Sequence, residues 1–281
     1  MYPKLFGIEF LNTYGFCIGL GIVFCFVYLR YASKKLNIPA KFEDFVEYNG
    51  IISIVLGIVS AMLFQSFYNY LDNPELGFRF GTDMTFIGGL IGGVATFLII
   101  YFAYGRKKYG AHLLELLPIA AGCILIAHGC GRMGCFFYGC CYGKEAQPHA
   151  FLAMNYPTAL GNGHYSREWI YPTQLYEAVF LIGLFFICAY ITIKKKYQNT
   201  MGIYLICYGV FRFFNEFLRD DSRGSFIPGI SPSQFWSIMM VILGIVFLIV
   251  MPKIYKQINE QKMIEEQLNQ DQQLEINEEA K

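Results

Sequence analysis

SQFWSIMMVILGIVFLIVM, residues 233–251, decides the class of this protein. The run contains no charged side chain, and about 20 mostly apolar residues in a helix are enough to cross the hydrocarbon core of a bilayer. Comparable runs occur at Leu11–Leu29, Gly50–Tyr68, Thr85–Tyr104, Leu113–Cys130, Thr173–Ile193 and Met201–Leu218. The fourth is interrupted by Pro118, and polar residues intrude on the sixth. The expected fold is an all-α integral membrane protein with about seven transmembrane helices. Residues 1–252 read as one polytopic membrane domain. Residues 253–281, rich in Gln, Glu, Asn and Lys, read as a polar tail that is a solvated helix extension or disordered.

Composition agrees. The 281 residues are 55% hydrophobic and only 15% charged, against roughly 25% charged in soluble domains. A formal net charge of +1, with no long basic tract, gives no field that would draw the chain to nucleic acid. The start, MYPKLFGIEF, has neither a basic leader nor a cleavage site after the first apolar run, so that run is expected to stay as a membrane helix.

Lys and Arg set the expected orientation. Arg30, Lys34, Lys35 and Lys41 follow the first run, Arg106, Lys107 and Lys108 the third, Lys194, Lys195 and Lys196 the fifth, and Lys253, Lys256 and Lys262 the last. With seven spans these segments share one side, which the positive-inside rule makes cytoplasmic. The N-terminus then faces outward and the C-terminus inward. Lys41–Tyr48 reads as a short interfacial helix, and 131–171, rich in Pro, Gly, His and Asn, as a long outer loop.

Ionisable residues in membrane helices mark function by default. Tyr208, Arg212 and Glu216 are spaced four apart, and Arg219 follows three later. At 100° per residue they share an arc of about 80°. Arg212 and Glu216 could neutralise each other as an i,i+4 pair, but one carboxylate does not balance two arginines, and an anionic ligand would supply the rest. The stretch HGCGRMGCFFYGCCYG, residues 128–143, adds Arg132, whose planar fork suits phosphate, and glycines such as Gly143 that let backbone approach a ligand. Its four cysteines (Cys130, Cys135, Cys140, Cys141) admit three readings: metal ligands, disulfide partners, or small packing residues. The spacing C-x4-C-x4-C-C is not a usual zinc or iron–sulfur pattern, so neither a metal nor a cofactor is expected. Gln174 and Glu177 lie one turn apart at the start of the fifth run, and Tyr14 sits at the outer end of the first.

These pieces together resemble the prolipoprotein diacylglyceryl transferase family. Gly131-Arg132-Met133-Gly134 through Gly143 is similar to the family's G-R-x-G-N-F-x-N-x-E-x-x-G. Residues 171–177, YPTQLYE, are similar to H-P-x-Q-L-Y-E, and 208–219, YGVFRFFNEFLR, to Y-x-x-x-R-F-x-x-E-x-x-R. Phe86-Ile87-Gly88-Gly89-Leu90 stands in the place of F-H-G-G-L, Tyr14-Gly15 fits the tyrosine of the first helix, and residues 231–234, SPSQ, resemble the motif before the last.

The resemblance implies an enzyme of the bacterial cytoplasmic membrane with its active site near the outer leaflet. Such an enzyme moves the diacylglyceryl group of phosphatidylglycerol to the lipobox cysteine thiol at the signal peptide of a prolipoprotein. It implies Arg132, Arg212, Glu216 and Tyr208 as catalytic residues. It also implies Tyr14, Gly88, Gly89, Arg132, Gly143, Gln174, Glu177 and Arg219 as substrate-binding residues. The chain departs from the pattern at Ile87 and Tyr171, where the family has histidines, at Cys135 and Tyr138, where it has asparagines, and at Cys140, where it has glutamate. His128, one turn before Arg132, is the candidate replacement for the lost histidine. Two alternatives stand beside this reading: a divergent enzyme of the same fold with another acceptor, and a non-catalytic lipid-binding or redox membrane protein that uses Cys130–Cys141.

Overall fold

The computed structural model describes residues 12–81, 84–109, 113–159, 165–194, 197–219 and 229–279. Leu11, the loop cations Lys195 and Lys196, and the final residues of the tail lie outside them.

Eight helices and one hairpin make up the described chain: α1 Thr13–Lys35, α2 Ala40–Asp72, α3 Phe86–Ile100, α4 Arg106–Tyr109, α5 Leu117–Tyr138, β1 Met154–Ala159, β2 Tyr165–Ile170, α6 Thr173–Ile193, α7 Thr200–Asn215 and α8 Pro232–Glu279. A π turn, Tyr101–Gly105, joins α3 to α4, so these run on as one rod. Six stretches are long and apolar enough to cross a membrane: Thr13–Lys35, Ala40–Leu71, Ile87–Tyr109, Leu113–Tyr138, Thr173–Ile193 and Pro232–Gln261. Their outward side chains include Val27, Ile99, Phe186 and Ile249, all exposed, as a lipid solvent requires. The chain is therefore an all-α integral membrane protein with a small β-hairpin attached.

The expected sixth span, Met201–Leu218, is the exception. It folds as the 16 residues of α7 followed by a 3-10 turn, Glu216–Leu218. Its polar side chains explain the difference, since α7 carries Tyr204, Tyr208, Arg212 and Asn215, all buried against protein.

Two further expectations change. Lys41–Tyr48 is not a separate interfacial helix but the first turns of α2, because Phe42 and Phe45 pack their rings on Tyr109 at 6.0 and 5.3 Å and no breaker follows them. The long outer loop is shorter than its polarity suggests. α5 continues to Tyr138, and β1 pairs antiparallel with β2, Tyr156 opposite Glu168. Of the two readings of the tail, the helix extension is the one observed: α8 runs unbroken past Pro252 to Glu279.

The chain forms two compact units, residues 33–116 and residues 1–32 with 117–281. In the smaller, α2 and α3 meet backbone to backbone. A Cβ on Gly57 would lie 3.1 Å from the Gly89 carbonyl oxygen, and one on Gly92 only 2.3 Å from the Ser60 Cβ. Ser60 donates to the Gly88 carbonyl at 2.8 Å, and Asn49 to that of Phe97 at 3.0 Å. Small residues and side-chain-to-backbone bonds of this kind hold helices together where burial from water contributes nothing. The larger unit packs Ala121 and Leu125 of α5, Leu181, Leu184 and Cys188 of α6, and Tyr204, Leu205 and Tyr208 of α7 into one core. α8 closes on α7 at Gly209, where a Cβ would stand 2.8 Å from the Ser237 carbonyl oxygen.

Candidate active site

Glu177 is the centre of a buried polar chain in the larger unit. Its side chain has no exposed surface, one turn into α6. Tyr208 of α7 donates its hydroxyl to Glu177 Oε1 at 2.7 Å. Arg132 of α5 brings Nε to 3.0 Å from Oε2, and His128, one turn earlier on α5, places Nε2 3.5 Å from Oε1. The His128 ring meets the Tyr208 ring edge-on at 5.4 Å. Three helices thus converge on one carboxylate, which neutralises a guanidinium that would otherwise sit uncompensated within the protein.

A second cluster follows one turn along α7. Arg212 Nη1 lies 2.7 Å from Glu216 Oε2, and Nη2 donates to the Ser233 hydroxyl at 3.0 Å. Ser231 donates to the other Glu216 oxygen at 3.0 Å. Both serines belong to the turn entering α8, and Ser231 Oγ in turn accepts the Gln234 amide. The Arg212 charge reaches Glu177 and His128, so the clusters form one electrostatic system. Arg219, also buried, ends the 3-10 turn with its amide on the Glu216 carbonyl at 3.0 Å.

The larger unit also holds an apolar cavity of about 620 Å³. Its lining includes Leu152, Tyr176, Phe180, Phe211, Phe214 and Asn215. Tyr176, Phe211 and Asn215 are the sequence neighbours of Glu177, Arg212 and Glu216, so the cavity lies at the same level of α6 and α7 as the polar cluster, on a different face of each helix.

Gly143 serves the backbone. Its amide donates to the Tyr171 carbonyl and that of Lys144 to the Leu218 carbonyl, each at 2.8 Å. A Cβ there would fall 2.2 Å from the Leu218 oxygen, so only glycine lets the segment after α5 lie between the start of α6 and the end of α7. Gln174, fully buried, donates to the Tyr156 hydroxyl at 3.0 Å, which in turn donates a hydrogen bond to the Phe136 carbonyl. That link ties the hairpin to α5 and α6.

The cysteines divide. Cys130 packs toward α1, 3.1 Å from where a Cβ on Gly21 would stand, while the sulfurs of Cys135, Cys140 and Cys141 lie within 4.8 Å of one another. Tyr14 of α1 feels the charges of these three and of Arg132. Contacts from Cys135 and Cys140 draw the Cys141 thiol below its ordinary value, and the charges of Arg132 and Arg219 add to that effect.

The prolipoprotein diacylglyceryl transferase family model matches residues 3–250. The chain belongs to this family. A phosphatidylglycerol–prolipoprotein diacylglyceryl transferase of Clostridium tetani is 34% identical over 252 residues, which span 87% of this chain and 96% of that protein. A second enzyme of that name from Clostridium perfringens is 33% identical over 86% of this chain and 91% of its own length. One from Neisseria meningitidis is 31% identical over 80% and 86%.

Set in this transferase frame, the residues expected from the sequence fall into three places. Arg132, Gln174, Glu177, Tyr208, Arg212, Glu216 and Arg219 come together in the larger unit, with Gly143 at its edge and Tyr14 beside the cysteines. Gly88 and Gly89 lie in the smaller unit at the α2–α3 contact. Ile87, in the family's histidine position, is exposed on α3. Ser231 and Ser233 stood in the sequence as part of the SPSQ motif, without a role of their own, and Tyr156 was passed over. Tyr156 was hidden inside a stretch read as loop.

Proposed function

We propose that this chain transfers the diacylglyceryl group of phosphatidylglycerol to the lipobox cysteine thiol of prolipoproteins. It does so as a multi-pass enzyme of a bacterial cytoplasmic membrane, with its N-terminus outside and its site near the outer leaflet. Residues 1–252 are the transferase domain and 253–281 a polar cytoplasmic tail. The observation that carries the reading is the pair of arginines, Arg132 and Arg212, set on different helices and each paired with a carboxylate, Glu177 and Glu216.

In this reaction the acceptor thiolate forms a bond to the terminal glyceryl carbon. The carbon–oxygen bond to phosphate breaks, and glycerol phosphate leaves with the electron pair. Charge grows on the phosphate oxygens, and fixed cations already in place stabilise it without reorganising. Glu177 and Glu216 aim the two guanidinium groups, and Ser233 fixes the second. Tyr208 holds Glu177. Gln174, Tyr14, Gly143 and Arg219 shape the headgroup side, and Gly88 and Gly89 set the α2–α3 approach. His128 takes the acceptor-thiol proton in place of the missing family histidine, because a thiolate and not a thiol is the nucleophile. Membrane lipid and the signal peptide are the partners.

The test is complementation. The chain is expressed in cells depleted of their own transferase, and one lipobox precursor is scored by mobility and mass, with Arg212→Ala alongside. A diacylglyceryl thioether made by the wild type and lost in the variant supports the assignment. An unmodified precursor beside a well-expressed wild type overturns it in favour of another acceptor.

A further inference from the structure

Three thiols meet at the end of α5 for reasons built into the chain. Cys135 sits in the last turn. The chain then reverses, with the amides of Gly139 and Cys140 both bonded to the Cys135 carbonyl at 3.0 and 3.1 Å. Gly139 takes φ 92° and Cys141 takes φ 62°. A cysteine seldom holds a left-handed φ, and such strain persists only where the surroundings impose it. Here it belongs to the turn that gathers the Cys140 and Cys141 sulfurs to within 4.8 Å of that of Cys135. Cys135 is buried and Cys141 exposed, so the cluster reaches from protein interior to surface. Both Arg132 and Arg219 act electrostatically on Cys141.

We propose that Cys135, Cys140 and Cys141 form a three-thiolate site for a zinc ion whose fourth position receives the acceptor thiol. The second half of this proposal rests on the transferase reading. Zinc–sulfur bonds of about 2.3 Å in a tetrahedron set neighbouring sulfurs about 3.8 Å apart, so the three need to close by at most about 1 Å. A disulfide needs a sulfur pair about 2.05 Å apart and would use two of the three, stranding the last. Thiolates select zinc over magnesium or calcium, which take oxygen. Three thiolates on a dication leave one negative charge, which lies within the field of Arg132 and Arg219. Among the described residues no fourth His, Cys, Asp or Glu joins the group, and three protein ligands with an open position is the arrangement of a catalytic zinc rather than a structural one. Two of the three cysteines also stand where the family pattern has asparagine and glutamate, so the chain has exchanged hard donors for soft ones beside its phosphate-binding arginine.

The step balances without an oxidant. The acceptor thiol binds zinc and releases its proton through water toward His128, two turns along α5 from Cys135. The sulfur lone pair forms the bond to the glyceryl carbon, and the carbon–oxygen bond breaks toward phosphate. The thioether product, a weak ligand, then leaves the metal.

Full-length protein purified in detergent, without chelators or a metal-affinity tag, should contain about one zinc per chain, falling to roughly a tenth in Cys140→Ser and unchanged in Cys25→Ser. Should Cys140→Ser fail to elute as a single species, chelator removal of zinc from the wild type and its return on adding zinc replace that comparison. Arg212→Ala should lose transfer yet keep its zinc, which separates failure of the site from failure of the transferase reading. Cobalt loaded in place of zinc should give tetrahedral cobalt–thiolate bands, and a lipobox peptide should raise their charge-transfer intensity by about a third as a fourth thiolate binds. The same peptide with serine for cysteine should not. Wild type without zinc or cobalt bands, or a Cys135–Cys141 disulfide in the intact mass, overturns the site. A cobalt spectrum indifferent to the cysteine peptide overturns the acceptor's place on the metal.

Discussion

Glu177 is the residue on which the polar interior depends most. It has no exposed surface and holds Tyr208, Arg132 and His128 at once. Breaking a buried ion pair from one side costs about 3–5 kcal/mol, because the other charge stays behind. Glu177→Ala should therefore lower the thermal midpoint of the detergent-purified protein by several degrees, and an unchanged midpoint would show that Arg132 finds another partner. His128→Ala should keep the fold, since that side chain is 31% exposed, and should slow transfer. The expected loss is about 10²- to 10⁴-fold, the usual worth of a general base. A precursor-modification rate equal to wild type would remove His128 from the mechanism. At this scale the sequence was informative about α7, where one helix carries Tyr208, Arg212 and Glu216 at regular spacing and periodicity alone puts them on one face. It was silent about who binds Glu177, because the partners come from two other helices and no local pattern records a contact between distant segments. The cysteines show the same limit. Their linear spacing argued against a metal, whereas the reversal at Gly139 brings three sulfurs together in an order no spacing rule contains.

Element boundaries were read well where the signal was lipid and poorly where it was not. The apolar runs of α1, α2, α3, α5, α6 and α8 were found because a bilayer demands length and apolarity together. The hairpin was missed because the polarity of 131–171 outweighs the β-formers Tyr156 and Trp169, whose value depends on a partner strand. α7 was found but drawn too long, as its last polar turn tightens into a 3-10 segment that delivers Arg219. Gly143 tests how these elements are held. The Leu218 oxygen 2.2 Å from its absent Cβ is main chain and cannot rotate away. Gly143→Ala should therefore push the end of α7 outward. A shift of about 1 Å is enough to cost around 10²-fold in rate while leaving the membrane core intact. Transfer kinetics beside thermal melting check this, and equal activity would mean the segment yields. In the smaller unit, Gly92→Leu should instead act on assembly. The Ser60 side chain stands 2.3 Å from the Cβ position, so α2 and α3 must separate, and the readout is the yield of folded protein from membranes.

At the scale of the molecule, helices crossing a bilayer and the bias of Lys and Arg between the segments joining them argue for one orientation. Arg30, Lys34 and Lys35 end α1, Arg106, Lys107 and Lys108 end the α3–α4 rod, and Lys253 and Lys256 lie on α8 beyond Met251. These clusters fall on one side only if α7 crosses as well, although at 16 residues it spans about 24 Å, short of a hydrocarbon core of about 30 Å. α7 does not meet that core as a lone helix. Its buried face is covered by α5, α6 and α8, and the 3-10 turn to Leu218 lengthens it, so the requirement for an apolar surface falls on its neighbours. The decisive measurement places reporters at the C-terminus and in the hairpin. A fluorescent protein fused after Lys281 should light up, since it folds in the cytoplasm, and an alkaline phosphatase fused at the same point should stay inactive. A phosphatase inserted between Ala159 and Tyr165, the facing ends of β1 and β2, should be active. An active C-terminal phosphatase would mean that α7 fails to cross, that the count is the six helices of full length, and that Arg212 of α7 does not face the leaflet assigned to it.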